Sequence, residues 1–186
     1  MANVSKSSIP ATTVRTRRAY FDCKFGQLHV RTAFPGTGGF DEQVTLFCLH
    51  PRDESSRTFG RFLADIADVR SVYAPDLPGY GESDSSPARG IADAAAAIFD
   101  LVKDLRLRQI DVMGVQYGAE VAIELAAAQP ELVRRVVLAT LPATERLGAV
   151  QQPRLVLDIT GHGADPFGGG SQALAKQVNA FLRSRP

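Results

Sequence analysis

From residue 44 onward, short apolar runs alternate with longer stretches in which apolar residues return every third or fourth position. Residues 44–49 read Val-Thr-Leu-Phe-Cys-Leu. A continuous run of that length, rich in β-formers, predicts a strand covered on both faces. Phe59, Phe62, Leu63, Ile66 and Ala67 then recur at helical spacing, with Glu54, Ser55 and Ser56 ahead of them as caps. Residues 69–74 predict a strand stopped by Pro75, and Pro78, Gly79 and Gly81 predict a loop. Ile91, Ala94, Ala95, Ile98, Leu101, Val102 and Leu105 trace one face of an amphipathic helix. A strand over 109–113, a helix over 117–128 and strands over 133–139 and 154–159 follow. Leu174, Val178, Phe181 and Leu182 mark a last helix.

This alternation predicts a mostly parallel, doubly wound sheet with helices on both faces and right-handed crossovers. Ahead of it, residues 19–25 and 27–34 alternate partially and predict an antiparallel hairpin turning at Gly26. Residues 35–40, with three glycines, predict a loop. The expected organisation is a flexible segment over 1–18, read as a frayed tail rather than a transit peptide, and one domain over 19–186. Ligands of such sheets lie beyond the carboxyl ends of the strands. The loops that matter therefore follow Leu49, Ala74, Met113, Ala139 and Ile159.

Composition narrows the function classes. The 186 residues are 45% hydrophobic with formal net charge +1, so nothing draws the chain to nucleic acid or an anionic membrane. No apolar run approaches the roughly 20 residues that span a bilayer. Cys23 and Cys48 lie in apolar or alternating runs and read as buried free thiols, which makes the cytoplasm the default location. His29, His50 and His162 are too scattered to hold a metal, and His29, in the hairpin, is expected to be exposed. Gly168, Gly169 and Gly170 precede a helix without a phosphate-loop lysine and read as a flexible linker. No cofactor is implied.

The chemistry should gather at Gly114-Val115-Gln116-Tyr117-Gly118, between a strand and a helix. That is the position and glycine spacing of the nucleophile elbow, G-x-S-x-G. Its surroundings read Leu49-His50-Pro51, then Ala74-Pro75-Asp76-Leu77-Pro78-Gly79-Tyr80-Gly81-Glu82-Ser83-Asp84, then Gln129-Pro130-Glu131-Leu132-Val133. With those stretches the chain resembles the alpha/beta-hydrolase fold superfamily, continuously from about residue 44 to 142 and again at Gly161-His162-Gly163 and the final helix. Gln116 stands where that fold carries its nucleophilic serine. An amide nitrogen is delocalised into its carbonyl, so no acyl intermediate can form there.

The resemblance implies a site made of Gln116, His162 and an acid. His162 matches the loop that carries the family's histidine, with residues 154–159 as the strand presenting it and the cap plus one strand–helix unit absent. Glu145 occupies an alternative acid position of the family. Asp158 is read as lying inside the strand, and Asp165 as too close to His162 in sequence to orient it. His50, Arg52 and Tyr117 are the expected binding residues. The backbone N–H groups of Tyr117 and Arg52 would hold an oxyanion, while His50 reads also as a structural residue bracing that loop. Two classes of function remain: a hydrolase or lyase with His162 as general base, or a non-catalytic relative that binds a small ligand or a protein partner. A missing cap would uncover apolar surface and strand edges, which predicts a homodimer.

Overall fold

A computed structural model describes residues 14–36, 43–85, 90–139, 147–148, 150–159 and 165–184. Among them, β1 (Arg15–Cys23) and β2 (Gly26–Phe34) form the hairpin, followed by β3 (Thr45–Leu49) and a short 3₁₀ turn over Ser56–Phe59 that leads into α1 (Gly60–Ile66). Then come β4 (Val72–Pro75), α2 (Ile91–Asp104), β5 (Ile110–Val115), α3 (Tyr117–Ala128), β6 (Val133–Ala139), β7 (Arg154–Leu157) and α4 (Ser171–Arg183). The seven described strands make one sheet in the order β1-β2-β4-β3-β5-β6-β7. β1 and β2 pair antiparallel and β2 joins β4 antiparallel, while β4, β3, β5, β6 and β7 are mutually parallel. This is the mixed sheet that the alternating pattern predicts.

The period of two along each strand sorts the core into two layers. Phe47, Leu49, Val112, Val136 and Leu138 face α2 and α3, where they meet Ala94, Ile98, Leu101, Ala122 and Ile123. Leu46, Cys48, Met113, Val137 and Ala139 face α1 and α4, against Phe62, Ile66, Leu174 and Val178. Helix α3 is buried along most of its length because its alanines let it lie close to the sheet. No described helix is long and apolar enough to cross a membrane.

An ionic network closes the amino edge of the sheet. The Arg70 guanidinium is fully buried; it donates to Val44 O (2.9 Å), Asp111 Oδ2 (3.2 Å) and Asn179 Oδ1 (3.0 Å). Arg134 makes a two-pronged contact with Asp111 at 2.9 and 2.6 Å. Arg134 and Arg135 both donate to Leu182 O, at 2.8 and 2.6 Å. Guanidinium groups thereby occupy the carboxyl end of α4, where the helix dipole favours positive charge.

Several boundaries differ from the sequence reading. β1 begins at Arg15 rather than Ala19, because Arg15 to Arg18 pair with Phe34 to Arg31, so residues 15–18 are strand and not flexible tail. A ladder at the sheet edge needs backbone partners, not an apolar stripe. β4 starts at Val72, since Arg70 turns into the ionic network, and it includes Pro75. β5 runs on to Val115. β7 ends at Leu157, which puts Asp158 beyond the strand. Residues 166–170 are not a loose linker: Gly168 N–H donates to Asp165 O, Ser171 N–H donates to Gly168 O, and buried Phe167 packs edge-on against Phe59 and Phe62. Both cysteines are free, but only Cys48 is buried and Cys23 is partly exposed.

Candidate active site

β5 passes into α3 through one residue. Gln116 sits there at φ 47°, ψ −111°, and its side chain is exposed. Positive φ is rare outside glycine, so this backbone is strained. The flanking glycines are required by contact: a Cβ on Gly114 would overlap the Gly118 carbonyl, and one on Gly118 would overlap the Leu49 carbonyl. Gln116 O accepts from Ala119 N–H (2.9 Å) and Glu120 N–H (3.2 Å), which starts the helix at once. Tyr117 N–H, in the first turn, has no acceptor within the helix and is available to an anion.

The Tyr117 side chain is buried, and the Arg52 guanidinium lies 4.2 Å from its ring centroid. Burial, with a smaller push from Tyr80, raises the Tyr117 phenol above its ordinary value despite Arg52, so it stays protonated at neutral pH. Arg52 is exposed and donates to the Tyr80 hydroxyl at 3.4 Å. Arg52, Gly79, Tyr80, Gly90, Ala94 and Tyr117 line a cavity of about 300 Å³. Tyr80 was missed in the sequence, although Pro78-Gly79-Tyr80-Gly81 placed it in the loop beside the site.

Of the two roles expected for His50, binding and bracing, its bonds are those of a bracing residue. It is fully buried; its Nδ1 lies 2.7 Å from Pro51 O and its Nε2 accepts from Leu77 N–H at 2.8 Å. Those two bonds fix a neutral ring with its proton on Nδ1 and leave neither nitrogen for a ligand. Burial lowers its pKa, only partly opposed by the Pro51 carbonyl. His29 is corrected: it is 1% exposed, with Nδ1 2.9 Å from Asp76 Oδ2. Asp76 also accepts from Ser56 N–H (2.6 Å) and Glu82 N–H (2.8 Å). Burial raises the Asp76 carboxyl, but the Glu82, Ser56 and His29 bonds outweigh it and hold it below its ordinary value. Asp76 thus folds the Leu77–Asp84 stretch onto the hairpin and has no part in the open site.

Glu145 and His162 lie outside the described residues. Among the described residues, the strand register relates the ends of β6 and β7 to the elbow. Val115 pairs with Ala139, and Ala139 pairs with Leu157, so one row crosses β5, β6 and β7. Gln116 and Asp158 follow the two ends of that row, and two strand spacings, roughly 10 Å, separate them. Asp158 is exposed at the carboxyl edge instead of being locked inside a strand. Asp165 packs back over Gly168 in its own turn. Among the described residues, no three His, Cys, Asp or Glu side chains gather as a metal site.

A sheet in this order, with a strained strand-to-helix elbow at its centre, defines an alpha/beta-hydrolase-type protein. Residues 35–185 match the model of the alpha/beta hydrolase family, and the chain belongs to that family. It is similar to a 2-hydroxymuconate semialdehyde hydrolase from a Pseudomonas species, 36% identical over 98 residues, covering 47% of this chain and 34% of that protein. It is also similar to a soluble epoxide hydrolase from a Corynebacterium species, 28% identical over 144 residues, covering 74% of this chain and 50% of that protein. The crystal structure of naproxen esterase from Bacillus subtilis aligns with TM-score 0.61 and 25% identity over 70% of this chain and 44% of that one. The chain spans half the length of these relatives or less.

Proposed function

We propose that this protein is a hydrolase or lyase that acts on a small molecule without a covalent nucleophile. His162 is the general base, taking a proton from water or from the substrate. Tyr117 N–H and Arg52 N–H hold the developing oxyanion, and the Gln116 amide hydrogen-bonds the substrate. Glu145 or Asp158 orients His162. The cavity beside Arg52, Tyr80 and Tyr117 receives the substrate; a planar or anionic group fits its two rings and its guanidinium. The observation that carries this reading is the backbone of Gln116. It keeps the strained elbow (φ 47°) although the residue has no nucleophile to present. Strain of this kind persists where the surrounding structure maintains it, and it collects at functional sites.

The test is a panel of small esters, lactones and epoxides assayed with the wild type, His162→Asn and Gln116→Ala. His162→Asn should lower kcat by about 10²–10⁴, as loss of a general base does. Fluorophosphonate probes should leave the protein unlabelled. Turnover that survives His162→Asn, or stoichiometric labelling of any serine, would reject the mechanism. A second reading, a non-catalytic binder, is favoured by the amide at position 116. Ligand-induced stabilisation with no turnover of any panel member would select it.

A further inference from the structure

A second cleft lies between the hairpin and α1. Thr16, Arg17, Arg18, Arg31, Thr32 and Gly60 line it, and its volume is about 430 Å³. None of these residues lines the cavity beside Tyr117. Arg18 and Arg31 are direct cross-strand partners, so their side chains share one face of the sheet. Like charges placed opposite each other oppose pairing of the strands. Among the described residues Arg17, Arg18 and Arg31 form no contact ion pair. Glu82, whose carboxyl the Arg57 bond holds low with a smaller pull from Arg18, is already bonded to Arg57 at 2.8 Å. The Nε of Arg31 is shielded from solvent and has no hydrogen-bond partner. A shielded guanidinium N–H without an acceptor, beside a second unpaired guanidinium, is a half-built hydrogen-bonding site.

We propose that this cleft binds the phosphate group of a small molecule, held between Arg18 and Arg31. Guanidinium forks match the oxygens of a phosphate two at a time, which a lysine pair would not do. A dianion between the two strands supplies the acceptor that Arg31 Nε lacks and removes the repulsion across the ladder. Thr16, two residues from Arg18 and on the same face, adds a hydroxyl donor at the wall. The site stands apart from Gln116 and does not depend on the reaction proposed there.

Isothermal titration of the full chain at constant ionic strength tests this, with inorganic pyrophosphate and a nucleoside diphosphate as separate ligands. One saturable site is expected. Arg18→Gln and Arg31→Gln should each weaken it about tenfold or more, the scale of one charge-assisted hydrogen bond. Arg31→Lys keeps the charge and loses the fork; it should fall between Arg31→Gln and wild type, which also guards against a folding defect in the glutamine variant. Arg61→Gln, exposed on α1, should bind as wild type does. Tighter binding of the nucleoside diphosphate assigns the site to an organic phosphate, and equal binding assigns it to the free anion. No saturable heat at millimolar ligand, or unchanged affinity in Arg18→Gln and Arg31→Gln, would overturn the proposal.

Discussion

The strain at Gln116 can be measured by replacing it with glycine and with alanine. Both substitutions remove every interaction of the glutamine side chain beyond Cβ, so the comparison between them isolates the backbone. At φ 47°, ψ −111° alanine keeps the Cβ that makes the conformation unfavourable, and glycine does not. Backbone held in such a region costs about 1–3 kcal/mol. Glycine gives back about 0.5–1 kcal/mol through the greater freedom of its unfolded chain. Position 116 is also the N-cap of α3, where glycine is better tolerated than alanine. The Gln116→Gly protein should therefore be more stable than Gln116→Ala by about 1 kcal/mol. For a chain of 186 residues that corresponds to a Tm difference of about 2–4 °C. Urea unfolding followed by circular dichroism gives the same difference from the midpoints. If alanine is as stable as glycine or more so, the elbow is not strained, and its backbone gives no sign of a working site.

Asp111→Asn removes the carboxylate that pairs with both buried Arg70 and Arg134 and should cost about 3–5 kcal/mol, read from urea midpoints at unchanged m-value. Gly118→Ala drives a Cβ into the Leu49 carbonyl; it should lower Tm markedly while Gly60→Ala, which meets nothing nearby, does not. The neutral His50 ring makes stability pH-dependent: its folded pKa lies below the unfolded value of about 6.5. Its contribution is therefore full above that value and lost as pH falls through the folded pKa, and the His50→Gln protein should show a flatter profile over that window. Light scattering should find a homodimer joined at the β7 edge, where Val156 is 43% exposed; a single-chain mass at every concentration would reject it.

Periodicity reads best where punctuation is strong. Helix α3 and strand β6 have the bounds expected of them, because Gly114 and Gly118 force the turn before one and Gln129-Pro130 separates the two. The elbow itself was legible for the same reason: only glycines fit at two positions four apart. His29 was misjudged because alternation in a hairpin names its two faces without saying what covers each. Its partner, Asp76, lies 47 residues away in the chain. Asp158 was misplaced by a strand end two residues too late, a small error that moved a carboxylate from the sheet interior to its open edge. The arginines of β1 read as a tail, and only the pairing across Gly26 sets Arg18 against Arg31.

The shape of the elbow is made without the side chain of residue 116: by the Leu49 carbonyl, two missing side chains, and the first turn of a helix. The turn is a socket, and whatever stands in it inherits the exposed position, the neighbouring Tyr117 N–H and the rim of the sheet. One substitution, Gln116→Ser, sets a hydroxyl on the same backbone without disturbing a packed contact of either glycine. Chemistry at this position can therefore be exchanged over evolution while the scaffold beneath it stays fixed.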